Sequence, residues 1–105
     1  MRAMQNEKSM WRYRDLIPEM GDEPVTLGEG LTPVVPSRLL PGIDLIWKDE
    51  TRNPTGSHKD RALSLAATEA RALGARTMVV VSAGSTGLSN AAYAAQAGLR
   101  SVAVM

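Results

Sequence analysis

Ser57-His58-Lys59-Asp60-Arg61 carries the most chemical information in the chain. Turn signals precede it and alanine and leucine follow, so Lys59 falls in the first turn of a helix. That is an odd place for a lysine, because the helix dipole favours anions there. The same field favours an amine in its uncharged, nucleophilic form, which a lysine that forms Schiff bases must offer. The plainer alternative is a solvent-exposed lysine on a capped helix. A second stretch, Ser82-Ala83-Gly84-Ser85-Thr86-Gly87, is a glycine-rich turn from a strand into a helix. Such turns point backbone N–H groups at whatever sits above them, and a carboxylate or phosphate is the natural guest. Glycine there also serves turn geometry alone. The pattern is neither GxGxxG nor Walker A. Asn53-Pro54-Thr55-Gly56-Ser57 reads as a turn into a helix cap that fixes Lys59 in space. Its middle proline excludes a glycosylation sequon. His58, the sole histidine, signals packing or surface more than catalysis. Arg12 and Arg14, interleaved with Trp11 and Tyr13, offer either an anion contact or an ordinary amphipathic segment.

The elements that must position these groups follow from periodicity and punctuation. Residues 1–10 read as a mobile lead-in. Trp11 to Pro18 is a short amphipathic piece that the proline stops. Residues 19–42 are rich in proline and glycine and read as loop. Their clearest extended piece is Thr32 to Val35, which Pro33 and Pro36 confine to a sheet edge. Residues 43–48 alternate as a strand, and a polar loop runs from Asp49 to Ser57. A helix spans about His58 to Leu73. Ser57 is its N-cap, Asp60 completes a capping-box variant, and Gly74 is the C′ stop. Thr77 to Ser82 is a valine-rich run suited to a strand buried on both faces. A helix from about Leu88 to Ala97, closed by Gly98, and a strand over Ser101 to Met105 complete a βαβ unit. The second helix is apolar nearly all round, which calls for neighbours on several sides. The last strand ends at Met105 without a turn. The sequence therefore reads as the beginning of a larger α/β protein.

Composition narrows the function classes. The chain has 105 residues, 44% of them hydrophobic and 22% charged, as in one globular domain or part of one. A net charge of +1 leaves no electrostatic footprint for nucleic acid or an anionic membrane. The absence of cysteine excludes disulfides, thiolate metal sites and a cysteine nucleophile. No apolar run approaches the roughly 18 residues of a membrane span. The first ten residues lack the apolar core of a signal peptide. A soluble, cytoplasmic protein is expected.

Read in order, WRYRDLIP, LGEGLTPVV, WKDETRNPTGSHKDRA and SAGSTGLSNAAYAAQAGL resemble the N-terminal part of the threonine synthase family, among the fold type II pyridoxal-phosphate enzymes. The likeness runs from about Trp11 to Met105. The NPTGSxKDR block is specific to the cofactor-lysine region. WRYRDLIP and GEGxTP point to threonine synthases rather than to dehydratase and cysteine synthase relatives. The resemblance implies an α/β fold, the N-terminal portion of a tryptophan synthase beta-like enzyme, with a parallel sheet. It implies that Lys59 holds pyridoxal 5′-phosphate as a Schiff base and later shuttles protons. Ser57 and Asp60 would shape the surroundings of Lys59. Ser82, Gly84, Ser85, Thr86 and Gly87 would lie beside the cofactor and receive the substrate carboxylate, with Ser85 also contacting the cofactor.

Two residues depart from the family pattern. Ser85 stands where the family usually has the Asn that contacts the cofactor's phenolic oxygen. His58 replaces a common phenylalanine. Both bear on substrate choice and cofactor tuning. The family's later phosphate-binding loop and its partner for the pyridine nitrogen have no counterpart here. Residues 11–105 are therefore expected to be part of a catalytic domain truncated at Met105, incomplete as a catalyst. The implied reaction converts O-phosphohomoserine, a small amino-acid substrate, and water to threonine and phosphate, in a homodimeric enzyme. The alternatives are a serine/threonine dehydratase or another β-eliminating or β-replacing relative, and a non-catalytic remnant or binding module. A small nucleotide-binding βαβ domain is the last; it predicts phosphate contact at Gly84 to Gly87 and no role for Lys59.

Overall fold

A computed structural model describes residues 6–18 and 23–105. A 3-10 turn covers Met10–Leu16, and the Ser9 hydroxyl caps it by accepting from Trp11 N at 3.2 Å. Strands β1 (Val34–Ser37) and β2 (Leu45–Lys48) pair antiparallel, Val34 opposite Lys48 and Ser37 opposite Leu45. Pro36 is tolerated inside β1 because both strands of this pair are edges. A 3-10 turn at Glu50–Arg52 then leads to helix α1 (Lys59–Ala72). Strand β3 (Thr77–Val81), helix α2 (Ser85–Ala97) and strand β4 (Arg100–Val104) follow. β3 and β4 pair in parallel, Thr77 opposite Arg100 and Val81 opposite Val104. A parallel pair needs a crossover between its strands, and α2 is that crossover. The α/β class and the βαβ unit expected from the sequence are both present. Each helix stops at a glycine with φ of 74°, Gly74 or Gly98, where only a residue without Cβ is at ease.

The core lies where α1 packs on α2 and α2 on both parallel strands. Val25, Leu63, Ala67, Met78, Tyr93 and Ala94 fill it. Three alanine and valine side chains among these six leave little bulk, so polar ties carry much of the remaining specificity.

Several expectations need correction. β3 is covered on one face only: α2 lies against it, while Val79 and Val81 stay 62% and 84% exposed. α2 begins at Ser85 rather than near Leu88, so Ser85, Thr86 and Gly87 are its first turn and not part of the loop. The lead-in expected over residues 1–10 is anchored at its end, because Ser9 and Met10 are buried and Met10 N donates to Glu29 O at 2.7 Å. Residues 1–5 lie outside the described residues. The cap of α1 also differs. His58 occupies the cap position without a side-chain bond, while Ser57 Oγ accepts from Lys59 N at 3.2 Å. Asp60 makes no capping box; it turns into the interior.

Candidate functional site

Lys59 opens α1 and is partly buried. The turn before it is closed by Gly56 N donating to Asn53 O at 2.9 Å, with Gly56 at φ 88°. Asn53 is buried and works in both directions. Its Oδ1 accepts from Gly30 N at 2.9 Å, and its Nδ2 donates to Glu50 O at 3.0 Å and Glu50 Oε2 at 2.9 Å. Beyond Lys59, Arg61 grips the same carboxylate in a fork: Nε to Oε2 and Nη2 to Oε1, each at 2.8 Å. Two parallel charge-assisted bonds fix orientation as well as distance. The Thr32 hydroxyl also donates to Glu50. The bond from Arg61 is the main cause that holds the Glu50 carboxyl down at about 2. Lys59 is thus held between Asn53 and Arg61, which share Glu50.

Asp60 faces inward and is fully buried. Its Oδ2 accepts from Thr55 N at 2.7 Å, and its Oδ1 accepts from the hydroxyls of Thr55 and Ser89, the latter at 2.6 Å. Thr55 belongs to the turn before α1 and Ser89 to the second turn of α2. One carboxylate therefore brings the starts of both helices side by side. Ser85 lies four residues before Ser89, hence on the same face of α2 and one turn nearer its N-terminus.

The turn from β3 into α2 is organised by Ser82. Its Oγ accepts from Gly84 N at 3.1 Å and Gly87 N at 3.2 Å. Ser82 N donates to Val104 O at 2.9 Å, extending the strand ladder. These three amides, expected from the sequence to face a ligand, are consumed within the chain. Ala83, Ser85 and Thr86 N–H are the donors of this turn with no acceptor among the described residues. The start of a helix leaves such groups open by construction. The Ser85 side chain is exposed.

The lysines also separate. Lys48 Nζ donates to Thr32 O, and Lys8 is exposed, whereas Lys59 Nζ has no hydrogen-bond or ion-pair partner among the described residues. His58 is exposed. Trp11 is buried and Nε1 donates to Ser64 Oγ at 2.8 Å, while Arg12 lies over the Tyr13 ring at 5.5 Å. The N-terminal aromatic segment thus packs on α1. Among the described residues no group of His, Asp and Glu has the arrangement of a metal site, and no helix is long and apolar enough to cross a membrane. A cavity of about 450 Å³ lies along β2 against Val35, Trp47 and Glu50, and none of the candidate residues lines it.

Sequence reasoning missed the most connected group, Glu29. It is fully buried, and its carboxylate accepts from Thr26 Oγ1 (3.0 Å), Leu27 N (3.0 Å), Ser64 Oγ (2.8 Å) and Tyr93 OH (2.6 Å). Burial, and then the bond to Glu29, pushes the Tyr93 phenol above its ordinary value. The flanking glycines are not an anion nest. Gly28 N donates to Thr26 Oγ1 at 3.1 Å, Gly30 N is taken by Asn53, and a Cβ on Gly30 would lie 2.8 Å from Met10 N. The available signal was Ser89, Asn90 and Tyr93 on an otherwise apolar helix: all three are fully buried while Leu88 is exposed.

Residues 25–105 match the sequence profile of the family described as pyridoxal-phosphate dependent enzyme. The chain is similar to the threonine synthase of Halalkalibacterium halodurans, at 41% identity over 92% of this chain and 30% of that protein. It is also similar to the threonine synthases of Mycobacterium leprae, 47% over 83% of this chain and 25% of that one, and of Synechocystis, 36% over 96% and 29%. The chain thus spans between a quarter and a third of the length of these relatives.

Proposed function

The chain belongs to the family of pyridoxal-phosphate-dependent enzymes, and on that premise we propose that Lys59 holds the cofactor of a protein that converts O-phosphohomoserine and water to threonine and phosphate. The observation that carries this reading is the Lys59 amine, partly buried and without a partner among the described residues, at a helix start tied to a second helix start whose first turn has open N–H groups at Ser85 and Thr86. This donor set fits the cofactor. A free primary amine suits an aldehyde, and two open amides suit an amino-acid carboxylate. Pyridoxal phosphate, when bound, supplies that aldehyde and a conjugated ring that draws electrons from the substrate α-carbon. Lys59 Nζ secures the cofactor and, once freed, takes and returns the proton at the substrate Cα. Ser85 and Thr86 N–H receive the carboxylate, and the exposed Ser85 hydroxyl is available to the cofactor ring. Ser82 acts behind them by holding Gly84 and Gly87 on its hydroxyl.

The test is borohydride trapping of added pyridoxal phosphate followed by peptide mapping. Lys8, Lys48 and Lys59 are the only lysines, so assignment is direct. Saturable labelling confined to Lys59, abolished by Lys59→Arg, is expected. Equal labelling of the three lysines in a chain extended to the length of its relatives refutes the reading.

A further inference from the structure

We propose that Asp60 is a positioning residue that fixes where the Lys59 amine sits relative to the Ser85 and Thr86 amides. Its relevance to catalysis rests on the functional reading above; its geometry stands apart from it. Three observations converge. Asp60 is fully buried, yet no cation pairs with it among the described residues; its partners there are the Thr55 amide and hydroxyl and the Ser89 hydroxyl. It is covalently adjacent to Lys59, and its bonds to Thr55 clamp the turn that delivers Lys59. Ser89, its partner on the other helix, stands one turn below Ser85 on the same face. A shift of α1 against α2 must therefore break the bond from Ser89 before Lys59 can part from Ser85. A hydrogen bond to a buried charged acceptor resists such a shift far more than small apolar contacts do. The neighbouring helix surface offers chiefly such contacts: Ala67 and Ala94 are among the few buried apolar residues of the two helices.

The experiment measures the juxtaposition directly. The chain has no cysteine, so Ser85→Cys provides a single thiol. A short amine–thiol cross-linker followed by peptide mapping gives the ratio of Lys59 linkage to Lys48 linkage. Lys59 is expected to dominate. Adding Ser89→Ala is expected to lower the ratio about tenfold, the factor carried by one hydrogen bond to a charged acceptor. Asp60→Asn with Ser89 intact, which keeps an acceptor oxygen for Ser89 but not for Thr55 N, is expected to lower the ratio less than Ser89→Ala does. A merely structural role lowers the melting temperature and leaves the ratio unchanged. Should Ser89→Ala fail to fold, Asp60→Glu serves instead, since it keeps the charge and moves the carboxylate by one methylene; the same fall is expected. An unchanged ratio in the folded variant, or no Lys59 linkage before it is introduced, overturns the proposal. Selective cofactor trapping at Lys59 with an unchanged ratio refutes the positioning role alone. A ratio that falls as expected, without selective trapping, refutes the cofactor reading alone.

Discussion

Tyr93→Phe isolates one bond in the Glu29 cluster. The ring stays, so no cavity opens in the core, and the lost group is the hydroxyl that donates to Glu29 Oε2 at 2.6 Å. Both residues are fully buried, so water does not replace the missing donor. Glu29 keeps Thr26, Leu27 N and Ser64 as donors, which limits the damage to one bond. A hydrogen bond to a charged group is worth about 1.5–3 kcal/mol, and the expected loss is about 2 kcal/mol. For a domain of this size that corresponds to a fall in Tm of about 8–16 °C. Thermal unfolding followed by circular dichroism reads it, with exposed Tyr13→Phe as the control. The substitution also has a pH signature. The phenol of Tyr93 is raised by burial first and by Glu29 second, so the folded chain keeps a proton that the unfolded chain releases near pH 10. Its contribution is complete below that pH and is lost as pH rises further. Tyr93→Phe should flatten this alkaline decline. A fall in Tm below about 3 °C refutes the claim that the Glu29 cluster holds the core together.

Other outcomes follow from the same contacts. Glu50, lowered to about 2 chiefly by its bond from Arg61, contributes stability that is present above its ordinary value and lost as pH falls from 4.5 toward 2. Glu50→Gln should remove that acid decline, as measured by urea unfolding at neutral and acid pH. Gly30→Ala forces a Cβ to within 2.8 Å of Met10 N at a φ of 97°, and should lift the N-terminal turn off α1. Red-shifted emission of Trp11, read in a Trp47→Phe background, detects it; unchanged emission contradicts the packing described. Ser82→Ala removes the oxygen that accepts from Gly84 N and Gly87 N and should cost about 1 kcal/mol. Amide exchange at Gly84 and Gly87 should accelerate while exchange at Asn90 does not.

What the sequence disclosed depended on whether the signal was local. Gly74 and Gly98 marked helix ends because a left-handed residue at that position is a backbone requirement. The valine run of β3 and the small residues of α2 gave a βαβ unit for similar reasons. The place of Lys59 in the first turn of α1 was legible from the turn signals just before it. Misreadings arose where a distant partner decides. Asp60 has the spacing of a capping box, but Ser89, far along the chain, draws it inward. The start of α2 was set at about Leu88, yet the Ser82 hydroxyl closes on Gly84 and Gly87 and the helix begins three residues earlier, at Ser85. Glu29 between two glycines looked like loop. Nothing nearby reveals that Ser64 and Tyr93 close over it. The two motifs around Gly30 and Asn53 were quoted separately, and their contact through one amide could not be read from either.

The Glu29 cluster has a consequence for the order in which the chain assembles. Its bonds join residues 64 positions apart at Tyr93–Glu29, 53 apart at Trp11–Ser64 and 35 apart at Ser64–Glu29. Closing loops of that length costs chain entropy before any contact returns it. During synthesis the Glu29 carboxylate must stay hydrated until α2 has left the ribosome, because only then does Tyr93 arrive to cover it. Folding of this region is therefore a late, concerted event set by its most distant member, and the two helix starts that carry Lys59 and Ser85 come together in that same step.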